Sequence, residues 1–579
     1  MSSLPTHALS RRRFLAAAST LAASTALSPL FGIRSAGAAT ADGEILSCSN
    51  FGAFWAKVAG GRVVSVRPWE GDPHPIATIE GAVDLAYSAS RIRYPMVRRA
   101  WLEKGPGAEP ETRGRDDFVR VSWDKALDLV AAEIKRCAAI GPWSIYTGSY
   151  GWGHFGRLFN SQTGLRRLFN LMGGSVGSSS NYSKAGIEAI MPHVVGSIDA
   201  EGPQTSHQTI LENTDLIVFW ACDPLKDNHI STNVPDHGEY GWFEAMKKAG
   251  KKALFIDPVK TESCKVLSGE WLPVRPQSDT ALALALAHTL LTEKLHDAKF
   301  LADYTTGFEP FADYLLGKPD GVAKSADWAA PLTEIPADTI RDLARRLVKG
   351  RTMLVSGWSP QRQHHGEQFP WAFVTLAAMV GQIGLPGGGH SQLYHLYNGG
   401  TEIADAPNLG GSMQIGKRKE TKPWPKEKGT TIIPCARVVD MLMNPGKSYE
   451  HNGKTFIYPD VKMTYWVGGN PLHHHQDRNR QIAAWKKFET VMLVNMNRRG
   501  PKGKEPFRCV WCDSMDHMRR DCASLREAIR QNIVYIEDNM ICSSETRRPL
   551  RVNFGRGGMK KSMEDADATH VDAMHYAAS

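Results

Sequence analysis

Residues 214–224, TDLIVFWACDP, form an unbroken apolar run that stops at Asp223-Pro224, the pattern of a parallel strand buried on both faces. YGWFEAMKKAGKK (240–252) switches to helical spacing, and ALFIDPVK (253–260) returns to a buried strand ending in Asp257-Pro258. Strand, helix, strand, with polar residues just past each strand's carboxyl end, predicts a βαβ unit with ligand-facing tips. RPQSDTALALALAHTLL (275–291) opens a helix that Ser278 or Asp279 is placed to cap. RTMLVSGWSPQRQHHGEQ (351–368) and MTYWVGGNPLHHHQDRNRQIAAWKKFETVMLV (463–494) repeat the design. The expected fold class is therefore α/β, multi-domain, with Rossmann-like parallel sheets over residues 45–491. Its strand tips converge on a large polar pocket. No GxGxxG occurs, so the usual dinucleotide fingerprint is absent.

At 579 residues the chain has room for two to four domains with buried cores. The net charge of +9 is too diffuse to announce a nucleic-acid protein. Tryptophan is plentiful at 16, as either flat walls of a large ligand site or bulky core filler. The cysteines divide in two groups. Cys48, Cys137, Cys222, Cys264 and Cys435 are isolated, so no thiolate-ligated iron–sulfur cluster is readable among them. Of the remaining four, Cys509, Cys512 and Cys522 crowd into a short basic tail, and Cys542 follows them.

The two ends differ in texture from the middle. Ser10-Arg11-Arg12-Arg13-Phe14-Leu15, a mild Ala/Ser/Thr/Leu run and Ala36-Gly37-Ala38 resemble a twin-arginine export signal over residues 1–38. That run is too short and too polar for a membrane span, and a periplasmic destination is the expectation. After Val491 the α/β pattern gives way to a basic linker (492–507), then RCVWCDSMDHMRRDC within 508–523. A short helix, ASLREAIRQNI, a strand, VYIED, and a low-complexity end occupy 524–579.

The middle carries a family likeness. GSYGWGHFGRLFNSQTGLRRLFNLMGGSVGSSSNYSKAGIEAIMPHVVGS, ENTDLIVFWACDPLK, RPQSDTALALALAHTL, GWSPQRQHHGEQ, GQIGLPGGG and YWVGGNPLHHHQDRNR appear in that order. Together they resemble the dimethyl sulfoxide, trimethylamine N-oxide and biotin sulfoxide reductases of the molybdopterin oxidoreductase superfamily. The resemblance implies molybdenum held by two pterin guanine dinucleotide cofactors, no iron–sulfur cluster, and oxygen-atom transfer from a sulfoxide or N-oxide. Ser183, in Asn181-Tyr182-Ser183, matches the protein ligand to the metal. A deprotonated hydroxyl is a hard donor suited to a high-valent ion otherwise bound by soft sulfurs. Tyr150 and Trp152 match residues placed over the metal, and Trp358 and Arg362 match positions lining the substrate funnel. Trp220, Asp223, Asp257, Gln277, Asp279 and Gln361 are expected at one dinucleotide site, and Asn470, His474 and Gln476 at the other. Three adjacent histidines, 473 to 475, do not readily aim at one ion on a regular element, so no separate metal is expected there. A haem protein is the implied electron donor.

The tail resembles something else. Cys509, Cys512, His517 and Cys522 follow the C-x2-C-x4-H-x4-C knuckle of retroviral and retrotransposon nucleocapsid proteins. Three thiolates and an imidazole are a ligand set zinc prefers in closed tetrahedral sites. That resemblance implies single-stranded nucleic acid as a partner, with Trp511 stacking on a base and Arg508, Arg519 and Arg520 meeting phosphates. The family likeness fades near Val491, before the expected C-terminal β-rich domain that closes over both pterins. The sequence thus reads as a fusion of a reductase core, weak in activity for want of that domain, with a knuckle protein. The alternative expectation is a nucleic-acid-binding protein carrying a reductase remnant.

Overall fold

The computed structural model describes residues 43–88, 91–149, 161–198, 205–230, 236–391, 424–494, 511–512, 522–537, 540–545, 547, 550 and 559–560. Two compact units, 1–497 and 498–579, are distinguished by their internal contacts.

The first unit opens with an antiparallel meander, β1 (Gly43–Ser49), β2 (Gly52–Ala59) and β3 (Arg62–Pro68), followed by an antiparallel pair, β4 (Met96–Arg98) and β5 (Phe118–Arg120). Neither was anticipated from the hydrophobic pattern. Helix Trp123–Ile140 starts where the Ser122 hydroxyl accepts the Lys125 amide at 3.2 Å. It leads into β6 (Ile145–Gly148), and helix Ser161–Leu171, β7 (Gly177–Ser179) and helix Ala185–Val194 follow.

The central sheet comprises β8 (Leu216–Trp220), β9 (Lys252–Ile256), β10 (Glu270–Leu272), β11 (Thr352–Ser356) and β12 (Gly389–Ser391). All neighbours pair parallel, in the order β10-β9-β8-β11-β12. Every residue of β8 and β11 is buried, because helices cover both faces. Ile217, Phe219, Phe255, Met353 and Val355 pack on Phe243 and Met246 of helix Glu239–Lys248. Leu216, Val218, Trp220, Ile256 and Leu354 join a core with helices Asp279–Thr292, Ala337–Leu347 and Gln368–Val380. Each large apolar side chain so buried contributes about 1.5–3 kcal/mol. The chain winds outward from β8 to β10, then returns to lay β11 on the other side of β8. That reversal opens a crevice beyond the carboxyl ends of β8 and β11, where doubly wound sheets bind ligands.

A second parallel arrangement forms from β13 (Ile432–Pro434), β16 (Met463–Val467) and β17 (Thr490–Val494), with a hairpin, β14 (Ser448–His451) and β15 (Lys454–Ile457), alongside. Its order is β17-β16-β6, extended through a Tyr146–Val176 bridge to β7 and β13. Here β6 lies between β16 and the β7 side, which makes a second reversal and a second crevice.

The second unit has helix Ala523–Arg530 and a hairpin, β18 (Val534–Glu537) and β19 (Met540–Ser543). Trp511, Cys522, Leu525, Ala528, Val534 and Ile541 form its core. No helix among the described residues is long and apolar enough to cross a membrane. The expected signal, residues 1–38, lies outside the described residues.

Candidate functional site

The tips of β8 and β11 are pressed together. Ala221 just past β8 adopts φ 47°, and a Cβ on Gly357 just past β11 would lie 2.0 Å from the Ala221 carbonyl oxygen. Only glycine at 357 lets the two backbones approach so closely. Asp223 turns the β8 tip toward helix Glu262–Leu267, accepting from Ser263 Oγ at 2.6 Å, Ser263 N at 3.0 Å and Glu262 N at 3.2 Å. Asp257 accepts from the Val259 amide at 2.8 Å, closing the turn after β9. Gln277 is exposed with φ 70° beside the helix that begins at Asp279. Ser278 stands at the cap position of that helix, as expected, yet its hydroxyl donates to the Arg275 carbonyl instead of accepting a helix amide.

Four carboxyl groups gather at these tips. Burial raises Asp279, which accepts from Trp220 Nε1 at 2.8 Å. Burial also raises Asp257. Asp227, one turn after Asp223, is pushed up to about 6 by enclosure and by the like charge of Asp223, with Arg362 pulling the other way. Asp227 keeps solvent-accessible surface while crowded by these neighbours, as a wall of a polar cleft does. Such a group of acceptors suits a ligand edge rich in N–H donors. Trp220 itself is buried, its ring against Phe369 and Phe373, so it acts by holding Asp279.

Ser183 lies between the two crevices, in the turn before helix Ala185–Val194. Its N–H donates to Asn181 Oδ1 at 2.9 Å. Its carbonyl oxygen accepts from Gln361 Nε2 at 2.6 Å and from Arg362 Nε at 2.9 Å, both from the β11 tip. On the other side Tyr182 OH donates to the Cys435 carbonyl at 3.0 Å, just past β13. The Ser183 turn thus bridges both sheets. Trp358 corrects the sequence reading. It was expected to line a funnel, but it is 6% exposed, in a cluster with Ile187, Met191 and Val374. The apolar faces of the two flanking helices close over the indole.

At the second crevice Gly468 and Gly469 take φ 69° and 64°, which turns the chain sharply after β16. Asn470 Oδ1 accepts the Leu472 amide at 3.0 Å, and the Asn470 carbonyl accepts the His473 amide at 3.1 Å. His474 is half-buried and held below the usual imidazole range by burial and by His473. Gln476 is exposed and donates to the Ala436 carbonyl at 3.4 Å. His475, beside the Tyr182 ring at 6.0 Å, bonds through Nδ1 to the Gln476 carbonyl at 2.6 Å. A carbonyl only accepts, so Nδ1 donates that bond, and the buried Nε2 has no hydrogen-bond partner among the described residues.

In the second unit the Cys512 and Cys522 sulfurs are 3.7 Å apart, and Cys522 Sγ accepts the Leu525 amide at 3.4 Å. Trp511 also corrects the sequence reading. At 3% exposure, with Nε1 donating to Ser524 Oγ at 3.2 Å, it is core and presents no face for stacking on a base. Tyr150, Trp152, Cys509 and His517 lie outside the described residues. Among the described residues no group of three or more His, Cys, Asp or Glu side chains is arranged to hold a metal.

Sequence reasoning missed Asp227, the Tyr182 anchor and His475. For Asp227 the signal was present, four residues after Asp223 in DPLKD. The other two depend on partners far along the chain.

Two doubly wound parallel sheets, each with a polar crevice and joined by one clamped serine turn, define a large-cofactor α/β protein. Residues 91–498 match the molybdopterin oxidoreductase family model and residues 38–87 its N-terminal domain model. The chain belongs to the molybdopterin oxidoreductase family. It is 52% identical over 454 residues to a dimethyl sulfoxide/trimethylamine N-oxide reductase of Cereibacter sphaeroides, covering 78% of this chain and 55% of that one. It is 41% identical over 495 residues to a trimethylamine-N-oxide reductase of Haemophilus influenzae, covering 84% and 60%. The chain therefore spans little more than half the length of these relatives. Among solved structures, acetylene hydratase from Pelobacter acetylenicus shares the fold with TM-score 0.51 at 18% identity, over 78% of this chain and 60% of that one. The residues present fit the family's group. Carboxylate acceptors stand at one crevice, and the second crevice offers an unpartnered imidazole nitrogen beside a glycine turn.

Proposed function

We propose that this chain is a molybdenum reductase that takes an oxygen atom from a sulfoxide or N-oxide, with a pterin guanine dinucleotide in each crevice. The observation that carries this reading is the serine turn held from both sheets, by Gln361 and Arg362 on one side and by Cys435 on the other. The bound group supplies the two-electron redox chemistry; the protein supplies ligation, orientation and electrostatics. Ser183 gives an alkoxide ligand. Asp257 and Asp279 accept amino N–H groups of a guanine, with Trp220 fixing the second. Asn470, His474 and Gln476 serve the other dinucleotide. The Arg362 guanidinium, exposed at the tip, orients the S=O or N–O dipole. Tyr150 and Trp152 complete the substrate face by family likeness, and the two reductases named above carry names of this substrate class. The same reading takes a haem protein as electron donor and the twin-arginine route to the periplasm.

The test is metal and pterin analysis of the full chain made in a host that synthesises the cofactor. Stoichiometric molybdenum is expected for the wild type, and Ser183→Ala should lose most of it while keeping its far-ultraviolet circular dichroism. Equal molybdenum in both proteins would overturn the ligand assignment.

A second proposal concerns the tail. Sulfurs 3.7 Å apart are too far for the ~2.05 Å disulfide bond. They match the ~3.8 Å edge of a tetrahedron with Zn–S near ~2.3 Å. Cys512 and Cys522, with Cys509 and His517 at knuckle spacing, would hold structural zinc. Cys522→Ser should abolish zinc content and leave molybdenum unchanged; undiminished zinc would refute the site.

A further inference from the structure

We infer that Gln361 is a positioning residue whose side-chain amide sets the conformation of the Ser183 turn, an inference that rests on reading Ser183 as the metal ligand. Gln361 is 6% exposed, and its amide is committed on both ends. Nε2 donates to the Ser183 carbonyl at 2.6 Å and to the Trp358 carbonyl at 3.0 Å. Oε1 accepts the Gly186 amide at 2.7 Å. One planar group therefore grips the carbonyl before the helix and an amide in its first turn. Helix Ala185–Val194 has no side-chain cap from Lys184, so Gln361 supplies the missing acceptor from a distant loop.

The surroundings leave the amide little freedom. A Cβ on Gly186 would approach Gln361 Oε1 to 2.8 Å, and one on Gly366 would approach the Gln361 carbonyl oxygen to 1.9 Å. The two glycines let the turn and the β11 tip close on the glutamine from either side. No other side chain meets these demands. Glutamate has the length but loses both donors and sets a charge against two carbonyl oxygens; asparagine is one methylene short; leucine leaves three buried polar groups unsatisfied. Arg362, the next residue, spends its Nε on the same Ser183 carbonyl. The cation proposed to meet substrate and the clamp on the ligand thus share one short stretch of backbone. A change at the clamp should alter the setting of the ligand and not only its occupancy.

The test uses the full chain in two forms. On metal-free protein, hydrogen exchange read by mass spectrometry should show peptides spanning 181–190 exchanging about tenfold faster in Gln361→Leu, the effect of one lost hydrogen bond. Peptides from β8 and β9 should be unchanged. Gln361→Glu, which keeps the acceptor for Gly186 but neither donor, should recover part of the protection. On loaded protein, the molybdenum K-edge spectrum of Gln361→Glu should show a changed oxygen shell at retained metal. Should Gln361→Leu fail to fold, Gly186→Ala displaces the amide from the other side and should give the same faster exchange. Wild-type exchange over 181–190 in Gln361→Leu or Gly186→Ala, or an unaltered metal spectrum in Gln361→Glu, would overturn the inference. The exchange arm needs no metal. Loss of protection in Gln361→Leu beside a wild type that binds no molybdenum would refute the ligand reading and leave the clamp standing.

Discussion

Asp227 titrates far from where an unfolded aspartate does. Its carboxyl stands at about 6 in the fold against 3.8 for the free side chain, raised by enclosure and by Asp223. Between those values the folded chain holds a proton that the unfolded chain has released. The contribution to stability is therefore fully present below about pH 4 and is lost as pH rises through about 6. Asp227→Asn should flatten the fall in unfolding midpoint across that window, measured by denaturant titration at a series of pH values; an unchanged slope would assign the proton elsewhere. At this scale the sequence displayed the acids that end strands, because Asp-Pro breaks an apolar run visibly. It hid Gln361's task, because that glutamine's partners lie 175 and 178 positions away. It misled at Trp358 and Trp511. An aromatic ring near glycines or cysteines looks available, and only packing shows that neighbouring helices cover it.

Strands and helices follow the same division. The runs at 214–224 and 253–260 became β8 and β9, since a strand apolar on both faces has few other places to go. The meander β1–β3 went unread because its outer strands, β1 and β3, are largely exposed and lack a contrasting apolar face, although β2 between them is mostly buried. The cap expected from Ser278 failed for a local reason: its hydroxyl already serves the Arg275 carbonyl. Close contact between the β8 and β11 tips gives the element-scale prediction. Gly357→Ala sets a methyl against backbone that has little room to move. It should cost about 3 kcal/mol, the upper end of ordinary overpacking, seen as a lowered unfolding midpoint. A midpoint equal to wild type would mean that the tips can separate.

For the whole molecule, three boundaries nearly coincide. The α/β pattern fades near Val491, the family match ends at 498, and the first compact unit ends at Asn497. The parallel sheets were legible as repeated βαβ units, but their strand orders, and so the two separate crevices, were not; nor was the single serine turn that ties them together, since the tie consists of three hydrogen bonds between distant residues. The spacing of that tie has a consequence for biosynthesis. Ser183 leaves the ribosome 178 residues before Gln361, on the order of ten to thirty seconds earlier at common rates of elongation. Throughout that interval the nascent turn lacks its grip. A nascent chain halted before residue 361 should therefore lack the hydrogen-bonded serine turn, whatever else has already folded.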